Sequence, residues 1–175
     1  MTEQNTLKTV KLSQVDAFTD RLFGGNPAGV VFEADFLTDD EMKNIAREMN
    51  LSDTAFILKP TSKDADVKLR YFTSGKAEIK FCGHAAVGAL CEIARLGIFG
   101  MKGAANHKLK VETNAGVLPM EIVKKSDSDI TIRFTAPKVE LANYKSQGQE
   151  FSDRLVIPIE AVDTRYPIMI DSTLN

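Results

Sequence analysis

Glu78-Ile79-Lys80-Phe81-Cys82-Gly83-His84-Ala85-Ala86-Val87-Gly88-Ala89-Leu90-Cys91-Glu92-Ile93-Ala94-Arg95-Leu96-Gly97 is the stretch that decides the fold. It reads as a short strand, a tight turn and a helix. From Ala85 to Ala94 the sole charge is Glu92, and apolar residues fall on every face. A helix that is apolar all round belongs inside a protein. Ala85, Ala86, Gly88 and Ala89 are small and let other backbone approach. Gly88 weakens an isolated helix by roughly 1 kcal/mol against Ala, so its mid-helix place predicts packing too close for a side chain. The expected architecture is a central buried helix with a sheet curled around it.

The leading end of this helix carries Cys82, Gly83 and His84. Unpaired backbone N–H groups and the positive end of the helix dipole meet there, which suits an anion. A thiol so placed is expected to have a lowered pKa, and an imidazole there can act on a bound substrate. A core cysteine and a hydrogen-bonded histidine on an ordinary buried helix fit the same residues.

Upstream, residues 9–18 read as a first strand, with a bulge suggested where alternation breaks at Ser13-Gln14. Gly24-Gly25-Asn26-Pro27-Ala28-Gly29 reads as a connecting turn before a short buried strand over 30–32. Thr38-Asp39-Asp40-Glu41 is a capping box, and Met42, Ile45, Ala46 and Met49 form one helical stripe behind it. Asn50 suits a left-handed close to that helix. Leu51-Ser52-Asp53-Thr54-Ala55-Phe56 follows at once and enters a strand over 55–59. Asp53 thus falls where helix gives way to strand, and by itself it reads as a turn residue bonding its own backbone. Val67, Leu69 and Tyr71 alternate with Lys68, Arg70 and Phe72 in a half-buried strand. Downstream, glycines 97, 100 and 103 mark a loop. Residues 108–113, 117–123 and 130–134 make a meander, turned at Asn114-Ala115-Gly116 and Asp127-Ser128 and ended by Pro137. Residues 138–152 are polar without a strong pattern, and 154–159 and 166–170 read as two further strands.

A length of 175 residues holds one domain or one and a fraction. Hydrophobic content of 43% and charged content of 26% are ordinary globular values. A net charge of −2 gives no reason to expect nucleic acid or an acidic membrane as partner. No basic patch with interleaved aromatics supports nucleic-acid binding either. Cys82 and Cys91 are too few for a disulfide framework and, on one helix, lie about 13 Å apart. Neither Cys82 with His84 nor Cys91 with His107 has the spacing of a closed zinc site, so no metal is expected. The polar start around Glu3 lacks the apolar core of a signal peptide, and no apolar run reaches the ~18 residues of a membrane span. A soluble cytoplasmic protein is the expectation.

Phe81-Cys82-Gly83-His84-Ala85 resembles the Cys-Gly-His-Ala segment of the PhzF family, the phenazine-biosynthesis-like isomerases, which share the diaminopimelate epimerase-like fold. Gly25-Asn26-Pro27-Ala28-Gly29 resembles the Gly-Asn-Pro-Ala-Gly segment that precedes the family's second strand. Arg70-Tyr71-Phe72-Thr73 resembles the strand before the Cys-Gly-His motif, with Ser74 where the family often has Pro. Ser52-Asp53-Thr54-Ala55-Phe56 is similar to the family's Ser-Glu-Thr-Ala-Phe, whose Glu is the catalytic acid/base. Asp53 keeps the carboxylate but loses one methylene. That sets it back by more than about 1 Å, and misplacement on that scale can cost about a hundredfold in rate.

The resemblance implies an α+β fold, a mixed β-sheet rolled around a central buried helix. It implies catalysis by Asp53 and His84, substrate binding by Cys82, Gly83 and Asn26, and no cofactor. It also implies two domains, here residues 1–117 and an incomplete second one over 118–175. The family's cleft takes a second carboxylate and a Gly-Ser-Gly turn from its C-terminal domain. Ten of the 11 glycines here lie at or before Gly116, and no Gly-Ser-Gly turn follows Val117.

Two classes of function follow. The first is a cofactor-independent isomerase, moving a proton at carbon on a small carboxylic acid. A variant makes Cys82 the base, but that chemistry wants two opposed cysteines, and Cys91 sits on the same helix. The second is an inactive module that binds a small anion or pairs with a second copy as a homodimer through an exposed sheet edge.

Overall fold

In the computed structural model, which describes residues 8–138, 141–143, 148–161, 163, 165, 167 and 169–171, local sequence signals set the element ends. The chain runs β1 (Leu12–Ala17), β2 (Asn26–Val31), α1 (Asp39–Met49), β3 (Asp53–Leu58), β4 (Val67–Thr73), β5 (Glu78–Ile79), α2 (Gly83–Arg95), β6 (Ala105–Thr113), β7 (Gly116–Ser126) and β8 (Asp129–Phe134). Thr38 and Glu41 form the expected capping box on α1, and Asn50 closes it in the left-handed conformation at φ 52°. The strands make one mixed sheet in the order β1-β2-β3-β4-β6-β7-β8, with β5 beside β4. β2 runs parallel to β3 and β4 parallel to β6, while the other neighbours are antiparallel. α2 packs on β1, β2 and β3 and also on β7 and β8. One helix can touch both ends of a sheet when the sheet curls around it, so the architecture is the expected α+β roll.

Strand periodicity divides the interior into two cores. Ala28 and Val30 of β2, Ala55 and Ile57 of β3, and Leu69 and Tyr71 of β4 face α2 and pack with Ala85, Ala89, Leu90 and Ile93. Val31, Phe56 and Phe72 face the other way and pack with Met42 and Ala46 of α1. β4 is therefore buried on both faces at its end. Arg70, on the α1 side, lies over the Phe72 ring and pairs with Asp39 at 2.7 Å and Glu78 at 2.7 Å.

Several expectations shift. β1 pairs with β2 in unbroken register from Leu12–Val31 to Ala17–Asn26, with no bulge at Ser13-Gln14. Ser13 breaks the apolar alternation because its hydroxyl donates to the buried Glu92 carboxylate at 3.0 Å. The Gly24–Gly29 stretch is a turn only as far as Gly25, and β2 begins at Asn26. Gly25 holds φ +71°, and a Cβ there would lie 2.2 Å from the Ala17 carbonyl oxygen. Gly29 sits within β2, where a Cβ would meet the Thr54 hydroxyl oxygen at 2.7 Å.

Gly88 is not held by crowding. A Cβ there would lie 3.4 Å from the Val15 Cβ and 3.6 Å from Val30 Cγ2, which is ordinary contact. Gly88→Ala is expected to raise the melting temperature, by up to about 1 kcal/mol of helix propensity. A fall in thermal unfolding temperature would show that the site is too tight after all.

The carboxylate of Glu112 ties the chain between β3 and β4 to β6. It accepts from the Thr61 and Ser62 backbone amides at 2.7 and 2.8 Å and from the Thr61 hydroxyl, and it pairs with Lys68 at 2.9 Å. Burial alone would raise its pKa; these partners overcome burial and bring it down to about 2 from 4.5. A folded pKa below the unfolded one means stabilisation that is present above pH 4.5 and lost as pH falls towards 2. The expected size is about 1–2 kcal/mol once solvent screening is allowed for. Urea titrations of Glu112→Gln should show lower stability at neutral pH and a shallower loss between those two pH values.

The first compact unit runs through Ala136, not to residue 117, and the second begins at Pro137. The meander is the reason. β7 and β8 hydrogen-bond onto β6 in the same sheet, so no boundary can fall after Val117. In the second unit, β9 (Leu141–Asn143) pairs antiparallel with β10 (Met169–Asp171), and α3 (Gly148–Leu155) lies between them in sequence. The strand expected over 154–159 is instead the end of α3 and a turn. An i,i+4 pair between Glu150 and Arg154 at 2.9 Å carries the helix to Leu155, and Ser152 then donates to the Ile157 carbonyl. Of the strand expected over 166–170, residues 169 and 170 are in β10, while 166 and 168 lie outside the described residues. Among the described residues, no helix is long and apolar enough to cross a membrane.

Candidate active site

β3 begins at Asp53, two residues earlier than its pattern suggests, opposite Thr73 of β4. Asp53 is therefore a strand residue, not a turn residue. Alternation puts it on the face of Ala55 and Ile57, which is the face that meets α2. The next turn of chain to reach that place is the start of α2. β4 ends at Thr73, β5 folds back on it, and Cys82 becomes the N-cap of a helix whose first residues are Gly83 and His84. Phe81 fixes this entry by packing edge-to-face against Tyr71 and Phe134, with centroids 6.0 and 5.5 Å apart.

The result brings together residues far apart in sequence. Asp53 Oδ2 lies 3.7 Å from His84 Nε2, and the two side chains are only 13% and 10% exposed. His84 Nδ1 lies 3.2 Å from Cys82 Sγ, and its Nε2 lies 3.2 Å from Ser52 Oγ. Burial pushes the Cys82 thiol up to about 12, and the Asp53 carboxylate nearby adds to this; the amides of Ala85 and His84 act the other way and lose. The expected lowering by the helix end is thus overturned, because removing the sulfur from water outweighs the dipole. The two ring contacts are set by one tautomer: with the ring proton on Nε2, His84 donates to Ser52 Oγ and its Nδ1 accepts from the Cys82 thiol.

Gly83 stands beside Phe134, whose Cζ would be 3.8 Å from a Cβ placed there. Asn26 opens β2. The parallel register of Gly29 with Thr54 sets the start of β2 beside the start of β3, so Asn26 lies at the same sheet end as Asp53. It is exposed there, opposite Ala17. Of the residues expected at the site, Asp53, Cys82 and His84 come within 4.8 Å of one another, Gly83 is between two of them in sequence, and Asn26 shares only the sheet end. Cys91 lies on the same helix, with its thiol pushed up by burial to about 11, and cannot oppose Cys82. Ser52 was not among the expected residues. Its sequence signal is its place at the head of the Ser52–Phe56 segment, next to Asp53 and just before a strand begins.

With this geometry in place, the comparisons with known proteins decide the family. The family described as phenazine biosynthesis-like protein matches residues 15–174. The chain belongs to that family. An uncharacterized isomerase of Clostridium acetobutylicum is 36% identical over 174 residues, covering 95% of this chain and 54% of that protein. The trans-2,3-dihydro-3-hydroxyanthranilate isomerase of Pseudomonas chlororaphis is 31% identical over 156 residues, covering 89% of this chain and 51% of that protein. The crystal structure of the Bacillus anthracis phenazine biosynthesis protein of the PhzF family superposes with a TM-score of 0.72 at 32% identity, covering 95% of this chain and 54% of that one. The fold is the epimerase-like α+β fold. This phenazine biosynthesis-like chain spans about half the length of the relatives it matches.

Proposed function

We propose that this chain carries the acid–base pair of an isomerase that shifts a proton at carbon on a small carboxylic acid. The observation behind the reading is the meeting of a strand-borne carboxylate, Asp53, with a histidine on a helix N-terminus, His84, in a place largely closed to water. Asp53 removes a proton from a carbon next to an unsaturated or carbonyl group. The electron pair spreads into that group, and the proton returns at another carbon, leaving the substrate an isomer with no atom gained or lost. His84, held between Cys82 and Ser52, hydrogen-bonds the substrate or helps relay the proton, its ring exchanging the Ser52 contact for the substrate. The amides of Gly83 and His84 suit the substrate carboxylate. A carboxylate and an imidazole are enough for this proton shift, so the reading requires no cofactor.

The names of the relatives support the reaction class. The P. chlororaphis relative, named for an unsaturated ring carboxylate, supports the substrate class. The test is to incubate the chain in deuterium oxide with trans-2,3-dihydro-3-hydroxyanthranilate and a panel of small unsaturated carboxylic acids. Proton NMR then reads deuterium uptake at carbon. Uptake that depends on the chain supports the reading.

A second reading is a small-anion-binding module without turnover. It is favoured by the 3.7 Å between Asp53 and His84, which exceeds hydrogen-bond distance. Calorimetric binding of the same acids, with no deuterium uptake across the panel, would select it.

A further inference from the structure

We propose that Cys82, His84 and Asp53 form a zinc-binding site, and that zinc there silences the proton transfer. Chain spacing hides such a site, because it offers only the Cys82–His84 pair. The fold supplies the third donor from β3. One donor atom from each of the three residues lies within 4.8 Å of the other two.

Ligands on a tetrahedral zinc, with bonds of about 2.0–2.3 Å, stand roughly 3.3–3.6 Å from one another. The Cys82 Sγ to His84 Nδ1 separation of 3.2 Å is already near such an edge. The metal takes the place of the proton these two atoms share. The Asp53 carboxylate, within 4.8 Å of the other two donors, closes on the metal by a shift of up to about 1.5 Å.

Charge and support favour the site. As the Sγ–zinc bond forms, the thiol proton leaves for solvent. The thiolate and the Asp53 carboxylate then neutralise the two positive charges, while His84 binds as neutral imidazole. Its Nε2–H keeps its bond to Ser52 Oγ, the outer partner that fixes ring orientation in metal sites. The fourth position is open to water or an anionic ligand. A soft thiolate beside an imidazole selects zinc or cobalt over magnesium or calcium. Binding does not depend on the isomerase reading. Silencing does, since zinc would occupy the two groups assigned to proton transfer.

Cobalt is the probe, because a thiolate on Co²⁺ gives a near-ultraviolet charge-transfer band and tetrahedral Co²⁺ gives intense visible bands. Titration of the reduced, metal-free chain should show both with a single equivalent of metal, and zinc should displace the cobalt. Cys82→Ser should abolish the charge-transfer band, and Cys91→Ser should leave it unchanged. Asp53→Asn should weaken binding by more than the ~10–100-fold typical of losing an outer partner. No charge-transfer band from the folded chain, or a band that survives Cys82→Ser, overturns the site. Zinc should also stop deuterium uptake, with recovery on chelation. Unimpeded uptake at saturating zinc overturns the silencing. A metal-free chain without any uptake refutes the isomerase reading and leaves the cobalt result to decide the site.

Discussion

Asp53→Asn is expected to abolish substrate-dependent deuterium uptake, a loss of about 10²–10⁴-fold, the usual worth of a positioned acid or base. The amide keeps the shape and hydrogen-bonding reach of the carboxylate but cannot accept the proton. Asp53→Glu should move the other way. The added methylene carries the carboxylate about 1.5 Å further from β3, which brings the present 3.7 Å to His84 Nε2 within hydrogen-bond distance. Closing a misplacement of that size is worth up to about a hundredfold. The gain should appear in kcat with KM little changed, because the carboxylate acts on the reacting carbon and not on the substrate's anchoring group. Full uptake by Asp53→Asn would remove Asp53 from the chemistry. A slower Asp53→Glu would show that the space between β3 and α2 is shaped for the shorter side chain.

The site was legible where a single element carries it. Cys82, Gly83 and His84 share one helix end, so the order of residues alone implies their closeness. Asp53 was legible only through motif likeness. Read locally it is a turn residue, and what makes it otherwise is cross-strand pairing with Thr73, a partner that no local pattern reveals. Ser52 and the tautomer of His84 were out of reach for the same reason, since both depend on how β3 and α2 meet. The Cys82 thiol shows a second limit. The helix-end argument is right in sign, but the competing cost of burial depends on how completely the sheet covers the sulfur, and here Cys82 is 6% exposed.

The fold was legible in its alternations and caps. Capping at Thr38 and Glu41, the stripe on α1 and the buried α2 follow from short-range rules, and all three hold. Strand ends did not follow. β2 and β3 begin earlier than their apolar runs because backbone pairing continues past the hydrophobic residues. The division of the chain was misplaced for a related reason. The hairpin turn at Asn114-Ala115-Gly116 looks like a boundary, yet it joins two strands of one sheet.

The end of β7 carries the second large prediction, and it turns on two adjacent lysines. The apolar run stops at Val123, but the strand continues to Ser126. Met120, Ile122 and Lys124 therefore share the inward face, and Lys124 is 4% exposed. Its ammonium donates to the carbonyl oxygens of Ala94 at 2.7 Å and Met101 at 3.1 Å, and pairs with Asp127 at 2.8 Å. Ala94 belongs to the last turn of α2, where its carbonyl also accepts from the Gly97 amide at 3.2 Å and the dipole favours a cation. One buried lysine thus closes the central helix from the inward face of β7. Lys124→Met fills similar space but takes from the buried Met101 carbonyl its Lys124 donor, at about 1–3 kcal/mol, and leaves Ala94 with the Gly97 amide. The expected loss is about 1–3 kcal/mol, a fall in melting temperature of roughly 5–10 °C for a unit of this size. Lys125 is the control. Its side chain is 71% exposed and, among the described residues, pairs with Asp129 at 3.2 Å, so Lys125→Met should change stability by less than about 0.5 kcal/mol. Equal melting temperatures for the two variants would mean that the α2 end is held by something other than Lys124. A large difference would show that strand parity, and not the local composition of a Lys-Lys pair, decides which of two identical side chains the fold depends on.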